Sequence, residues 1–228
     1  LIKSQILKTK FNVPRTKTAS IIVIEQIYNL IGLVIVSCIG LGLIMTFQIE
    51  FFEVTSFVIM GATIVLIFIL ILIKSKTAFE KVFHKFSKFK FISKYELSYE
   101  ESYEVIKKSL NGKLLIFSTF LSAAFWIIES VVVYFVLLAF DVDILEFTTI
   151  IATYTSSIIL GVASFLPMGI GVTEGSLAGF FALKGVDISL ALTIVIFIRI
   201  FTRWIGVGLG FILLKIIGGF SIESEKEN

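Results

Sequence analysis

Long apolar runs separated by short polar segments are the dominant pattern of this chain. A membrane-spanning helix needs about 20 largely apolar residues, and four runs reach that length. A fifth run is long enough but ends at a Pro-Gly break, and the run that continues it is too short to cross. The predicted spans are residues 21–45, 55–73, 114–140 and 188–217, with the interrupted pair at 147–166 and 172–184. The pattern predicts an all-α, polytopic transmembrane bundle of four to five spans, forming one domain over residues 1–228.

The interrupted pair centres on the segment Pro167–Glu174, which places one Pro, two Gly and one Glu inside apolar sequence. A helix broken at bilayer depth is tolerated only where protein or a water-filled cavity satisfies the freed backbone groups. Two topologies fit this break. In the first topology, residues 147–166 cross the membrane fully and the C-terminus is outside. In the second, residues 147–184 form a re-entrant hairpin and the C-terminus is cytoplasmic. We favour the re-entrant hairpin, with its tip at the break.

The distribution of basic residues orients the spans. Residues 1–18 carry only basic charges, and residues 74–94 carry seven Lys and one Glu. In contrast, the short loops at residues 46–54 and 141–146 contain no Lys or Arg, and we predict that they lie outside. Basic loops stay on the cytoplasmic side. We therefore predict a multi-pass protein of the cell membrane whose N-terminus and 74–113 linker are cytoplasmic. Within the linker, residues 78–94 predict a basic amphipathic helix, which is either an interface anchor or a lipid sensor.

Composition supports the membrane class. The chain has 228 residues, of which 57% are hydrophobic and 16% charged, and its mean hydropathy is +1.02; soluble domains average about 25% charged residues. The single Cys38 excludes an internal disulfide. We find no His-Glu-x-x-His, paired-Asp or Ser-His pattern, so an intramembrane enzyme is the least favoured class. We expect no cofactor, no metal and no nucleic-acid partner.

Five ionisable residues fall within the predicted spans: Glu25, Glu129, Glu174, Arg199 and Arg203. An Arg or Asp at a span centre costs about 2.5–3.5 kcal/mol on insertion scales, so these side chains are expected to pair or to line a wet cavity. The two Arg residues are four apart and share one helix face, which can meet Glu174 at the start of the short helix. Two interpretations are compatible with this pattern: a structural ion pair, or a site for a phosphate-bearing headgroup that also uses the helix N-terminus. The candidate substrate-binding residues are Pro167, Gly169, Gly171, Glu174, Arg199, Arg203 and Glu129.

Two glycine-rich stretches match the small-xxx-small pattern. They are Gly175–Gly179 in the short helix and Gly206–Gly210 in the last span. The pattern allows helix backbones to approach closely, so we expect tight helix contacts there.

Several motifs together resemble the lysylphosphatidylglycerol synthase/flippase transmembrane family, whose best-known member is the bacterial multiple peptide resistance factor. They are Pro-Met-Gly-Ile-Gly-Val-Thr-Glu (Pro167–Glu174), then Gly-Val-Asp (Gly185–Asp187), then Ile198-Arg199 in an apolar helix. The segment Ala19–Glu25 is similar to a family segment that ends in Glu-Arg, although Gln26 replaces that Arg. Family members carry further N-terminal spans with an earlier Pro-Gly break. We therefore expect this sequence to correspond to the C-terminal two-thirds of a family domain.

The resemblance implies a membrane domain that flips or accommodates a modified phospholipid or a lipid-linked sugar. Aminoacyl transfer in the bacterial relatives belongs to a separate soluble domain, which this sequence does not contain. The first functional hypothesis is therefore an integral membrane protein that binds or flips a polar or modified lipid, and its expected partners are anionic membrane lipids. The alternative is an accessory membrane subunit that partners a glycosyltransferase or a lipid-modifying enzyme and has no transport activity of its own. A homo-oligomer is compatible with either hypothesis.

Overall fold

The computed structural model describes residues 15–44, 49–87, 99–110 and 112–216. These residues are helical apart from short turns and contain no strand, which confirms the predicted all-α class. The helices are α1 (Arg15–Ile44), α2 (Ile49–Lys74), α3 (Lys76–Ser87), α4 (Tyr99–Ser109), α5 (Lys113–Ala139), α6 (Phe147–Ala163), α7 (Val172–Leu183), α8 (Ile188–Arg199) and α9 (Ile205–Ile216).

Four helices within the described ranges are long and apolar enough to cross a membrane. They lie in α1, α2, α5 and the continuous helix formed by α8 and α9, as the apolar runs predict. Helix α6 is a shorter apolar helix of 17 residues, so the re-entrant depth of the hairpin stays a prediction. The predicted residues 45, 88–98, 111 and 217 lie outside the described part of the chain.

Helix α6 lies at the centre of the bundle and packs against α1, α2, α5 and α7. All of its residues from Thr149 to Ile159 are buried, although many carry hydroxyl groups. Thr155 donates to the carbonyl of Ile151 at 2.7 Å, and such bonds to the preceding turn allow hydroxyl groups to be buried. On α1, Gly40 permits close contact, because a Cβ there would lie 2.9 Å from Ile151. The site described below is therefore built around a helix enclosed by its neighbours.

The predicted break between α6 and α7 is present. Pro167 begins a single 3₁₀ turn, because proline has no N–H and cannot continue the preceding helix. Gly169 has a φ of 65°, and a Cβ there would lie 2.8 Å from the Cα of Gly161 on α6. Only glycine accommodates both the positive φ and this close approach. Helix α7 then runs back along α6 and also packs against α8.

The last long helix contains a feature that the sequence pattern does not predict. Asp187 caps α8 by accepting backbone hydrogen bonds from Ser189 and Leu190 at 2.9 and 3.1 Å. The helix then passes through one π-helical turn at Ile200–Trp204 before it continues as α9. Such π turns often occur at functional sites, and this one carries Arg203.

The linker helices form a smaller layer against α1. Helix α3 contacts α4 through the rings of Phe79 and Tyr103, whose centroids are 5.4 Å apart, and α4 packs against α1. Ile24, Ile27, Ile73 and Ile106 form a second buried cluster there. The predicted amphipathic helix over 78–94 is helical from Lys76 to Ser87, and its remaining residues 88–94 lie outside the described ranges.

The predicted tight contacts at the two glycine-rich stretches are wrong for the chain as described. Apart from the nearby backbone of its own helix, a Cβ at Gly175, Gly179, Gly206, Gly208 or Gly210 would have no described atom within 4 Å. The close approaches occur instead on α1, where a Cβ at Gly32 would lie 2.6 Å from the Cβ of Ser122 on α5. The small-xxx-small pattern identifies a smooth helix face, but it does not determine which face meets a neighbour.

Candidate functional site

Glu129 of α5 and Arg203 of the π turn form a bidentate ion pair. The Nη1 and Nη2 atoms of Arg203 lie 2.8 and 3.1 Å from the Oε1 and Oε2 atoms of Glu129. This parallel geometry is the strong form of an Arg–carboxylate contact. Tyr154 of α6 donates its hydroxyl to Oε2 of Glu129 at 2.7 Å. The carboxylate, whose side chain is 8% exposed, therefore accepts three hydrogen bonds and connects three helices.

Trp126 lies one turn before Glu129 and supports the same arginine. The guanidinium carbon of Arg203 lies 5.5 Å from the centroid of the Trp126 ring, within the range of a cation–π interaction. The indole N–H of Trp126 donates to the backbone carbonyl of Asn29 on α1 at 3.2 Å. These contacts connect α1 to the Glu129–Arg203 pair.

Arg199 and Glu174 form a second ion pair, which holds the Pro-Gly turn against α8. The Nε atom of Arg199 donates to Glu174 Oε1, and its Nη2 atom donates to the carbonyl of Met168 at 2.8 Å. The other oxygen of Glu174 accepts the backbone N–H of Gly171 at 2.6 Å. The side chain of Arg199 is 6% exposed and that of Glu174 is 26% exposed. The carboxylate of Glu174 thus occupies the N-terminus of α7, the position that one of the two interpretations gives to a substrate anion.

Both arginines line one cavity of about 470 Å³ between α1, α5, α6, α8 and the turn. Ligand sites typically have volumes of about 300–1,000 Å³. The polar side chains that line it are those of Gln26, Asn29, Trp126, Thr173, Arg199 and Arg203. Of the seven predicted site residues, Gly169, Arg199 and Arg203 line the cavity. Glu129 and Glu174 hold the two arginines, and Pro167 and Gly171 form the turn.

Arg199 and Arg203 bring N–H donors to the lining of the cavity, and each guanidinium charge is balanced by a paired carboxylate. A guanidinium carries five N–H donors, and Arg199 and Arg203 each use two of them on the protein contacts above. The other three N–H groups of each side chain make no hydrogen bond to the residues that the structure describes. Such donors suit the oxygens of a phosphate or a carboxylate. A bound oxyanion can therefore be held without either arginine losing its carboxylate partner.

The two arginines pair with two different carboxylates, whereas the sequence pattern indicates only that their shared helix face can meet Glu174. The site also includes Tyr154, Asn29 and the carbonyl of Met168, which the sequence pattern does not identify. A signal for Trp126 was present, since it lies three residues before Glu129 and shares its helix face. Glu25, the remaining ionisable residue, is exposed and lies away from both ion pairs, in a neighbouring cavity.

Comparisons with known proteins agree with the architecture. Residues 1–210 match the family model described as the lysylphosphatidylglycerol synthase TM region. The chain is also similar to a protein named UPF0104 membrane protein from Methanothermobacter thermautotrophicus, with 34% identity over 99 residues. The matched stretch covers 43% of this chain and 29% of that relative, less than a third of its length. No solved structure matches the chain.

Proposed function

Because this chain is a membrane protein that belongs to the lysylphosphatidylglycerol synthase TM region family, we propose that it binds and flips a polar or modified lipid. The lipid class is an anionic or aminoacylated phospholipid, or a lipid-linked sugar. The headgroup binds in the cavity lined by Arg199 and Arg203. The observation that carries the proposal is the convergence of two arginines with spare donors on one cavity inside a bundle of apolar helices.

Energetic considerations support a role beyond structure for these charges. Replacing a buried ion pair by apolar residues of similar volume is often neutral or stabilising. Two such pairs beside one cavity are therefore a poor way to gain stability alone. Ionisable residues within membrane helices usually line a polar path. Both arginines here line a cavity, and Arg199 also contacts the broken helical hairpin at Met168 and Glu174.

The apolar rim of the cavity favours a lipid over a water-soluble anion. The turn exposes Phe165, Leu166 and Ile170, and Phe165 is 95% exposed. Phe165 and Leu166 also line the cavity. An apolar rim beside buried donors suits an amphiphile whose headgroup meets the arginines while its chains contact the rim. In this arrangement the basic N-terminus and linker lie on the cytoplasmic side of the cell membrane.

The test is a leaflet-accessibility assay in reconstituted liposomes. Fluorescent phosphatidylglycerol is placed in both leaflets, and dithionite reports how quickly the inner pool becomes accessible. Wild-type protein should accelerate transfer, and Arg203→Gln and Arg199→Gln should each reduce the rate about tenfold. Lys215→Gln is the matched control, because it also removes one positive charge but lies exposed on α9. Wild-type rates in both folded Arg variants would refute the site.

A second function is favoured by the family description, which names a region of a synthase. In that function the chain is an accessory subunit that holds a lipid for a glycosyltransferase or a lipid-modifying enzyme. The same liposomes separate the two functions, because an accessory subunit binds phosphatidylglycerol through Arg203 without accelerating its transfer.

A further inference from the structure

A second and larger cavity adjoins the arginine-lined cavity. It has a volume of about 730 Å³ and lies between the N-terminal halves of α1 and α5, with Ser109 of α4 at its edge. The hydroxyl of Tyr28 donates to the carbonyl of Ser109, which holds α4 against α1 at this edge. The larger cavity therefore runs from the linker helices along α1 and α5 to the arginine-lined cavity. It is open on one side, where Ile21, Leu114 and Leu121 are exposed.

The two cavities adjoin where α1 packs against α5, at a boundary that we call the seam. Gln26, Asn29 and Phe125 line both of them. At the seam, the hydroxyl of Ser122 donates to Oδ1 of Asn29 at 3.3 Å. One turn further along α1, Gly32 brings the two backbones into close contact. The Asn29–Ser122 hydrogen bond therefore lies at the boundary between the two spaces, together with the ring of Phe125.

The chemistry of the larger cavity differs from that of the first. Its polar lining consists of hydroxyl and amide groups with one carboxylate: Glu25, Gln26, Tyr28, Asn29, Ser109, Ser118 and Ser122. No Lys or Arg lines it among the described residues. Hydroxyl and amide groups both donate and accept hydrogen bonds, so they suit uncharged hydroxyl groups better than a phosphate. The larger cavity is therefore complementary to the part of a headgroup that carries alcohol groups.

We propose that the larger cavity is a second headgroup site for alcohol-rich headgroups, and that the Asn29–Ser122 seam is the gate through which the headgroup reaches the arginines. This inference rests on the proposed function and adds a route and a specificity to it. In the bound state, the phosphate contacts Arg199 and Arg203 while the headgroup hydroxyls contact Gln26 and its neighbours. Passage requires the Ser122 hydroxyl to exchange Asn29 for the headgroup.

Binding specificity is tested with two lipids of equal charge. Phosphatidylglycerol carries two headgroup hydroxyls, whereas phosphatidylmethanol carries the same phosphodiester and none. Native mass spectrometry of the purified protein should show at least fivefold more retained phosphatidylglycerol. Gln26→Leu should abolish this preference, and Ser176→Ala on α7, outside both cavities, should preserve it. Equal retention of the two lipids by wild-type protein would overturn the second site.

The gate is tested with a reversible cross-link. Asn29→Cys and Ser122→Cys are combined in a Cys38→Ser background, because Cys38 is otherwise a free thiol. Transfer is read here by extracting fluorescent phosphatidylglycerol with albumin, because dithionite can reduce a disulfide. Oxidation should lower transfer to the protein-free rate, and dithiothreitol should restore it. The reduced protein is its own folding control. Unchanged transfer by protein shown to be cross-linked would overturn the gate.

Arg203→Gln, measured in the same liposomes, separates two kinds of failure. If this variant and Arg199→Gln both transfer lipid at the wild-type rate, the proposed headgroup site fails and the route fails with it. If Arg203→Gln is slow while the cross-linked protein stays fast, the arginine site stands and only the gate is overturned.

Discussion

Removing Arg203 while keeping Glu129 should destabilise the protein strongly. Arg203→Met keeps an unbranched apolar stem but removes the charge and both bonds to Glu129. The carboxylate is then left 8% exposed with Tyr154 as its one remaining side-chain donor. Breaking a buried pair by removing one partner costs about 3–5 kcal/mol. Since the Arg203 side chain is itself 22% exposed and water can enter beside it, we expect a loss near the lower limit, about 3 kcal/mol.

The double variant Glu129→Gln with Arg203→Met should recover most of this loss. Glutamine removes the uncompensated charge, keeps the shape of the side chain and still accepts the Tyr154 hydroxyl. We expect the double variant to lie within about 1 kcal/mol of wild type, because neither side chain then leaves a buried charge unpaired. The coupling between the two changes is the quantity that the argument predicts.

Thermal unfolding in a mild detergent provides the measurement. For a chain of this size, about 1 kcal/mol corresponds to about 2–4 °C in Tm, so Arg203→Met should lower Tm by about 6–12 °C. Lys215→Met, at an exposed position of α9, is the control and should change Tm little. A double variant as unstable as Arg203→Met alone would show that the stability resides in packing around Arg203, and the electrostatic argument would be refuted.

Two further predictions concern the turn and the cavity wall. Gly169→Ala should lower stability by about 1–3 kcal/mol through backbone strain, because the φ of Gly169 is 65° and Thr173 Oγ1 would lie 2.5 Å from the new Cβ. Gly175→Ala is the control, because apart from its own helix backbone the new Cβ would have no described atom within 4 Å; it should be neutral or slightly stabilising in the same unfolding assay. Equal effects of the two substitutions would contradict the assigned strain. Trp204→Phe leaves Trp126 as the sole tryptophan, and its emission should change when phosphatidylglycerol, but not phosphatidylcholine, is added to the detergent-solubilised protein. An identical response to both lipids would argue against anion binding beside Arg203.

Local features of the sequence determined most of the helical architecture. The apolar runs located the four long helices because a membrane span must bury about 20 residues, and run length is visible without any tertiary information. The break after Ala163 was equally predictable, since Pro167 removes a backbone donor and Gly169 permits a positive φ. The cost of burying charge likewise identified Glu129, Glu174, Arg199 and Arg203 as residues that need partners.

Only the tertiary structure decided how those partners are assigned. Arg203 pairs with a carboxylate 74 positions away, and such pairing depends on the rotation and depth of packed helices, which helical periodicity does not encode. The π turn at Ile200–Trp204 follows Arg199 and contains Arg203. The two arginines meet different carboxylates although they are four residues apart. Long-range packing also explains why Gly32 is needed where α1 contacts α5. The same contact between α1 and α5 places the two cavities next to each other. The sequence specified which charged groups need a partner. The three-dimensional arrangement of the helices determined which neighbours provide those partners.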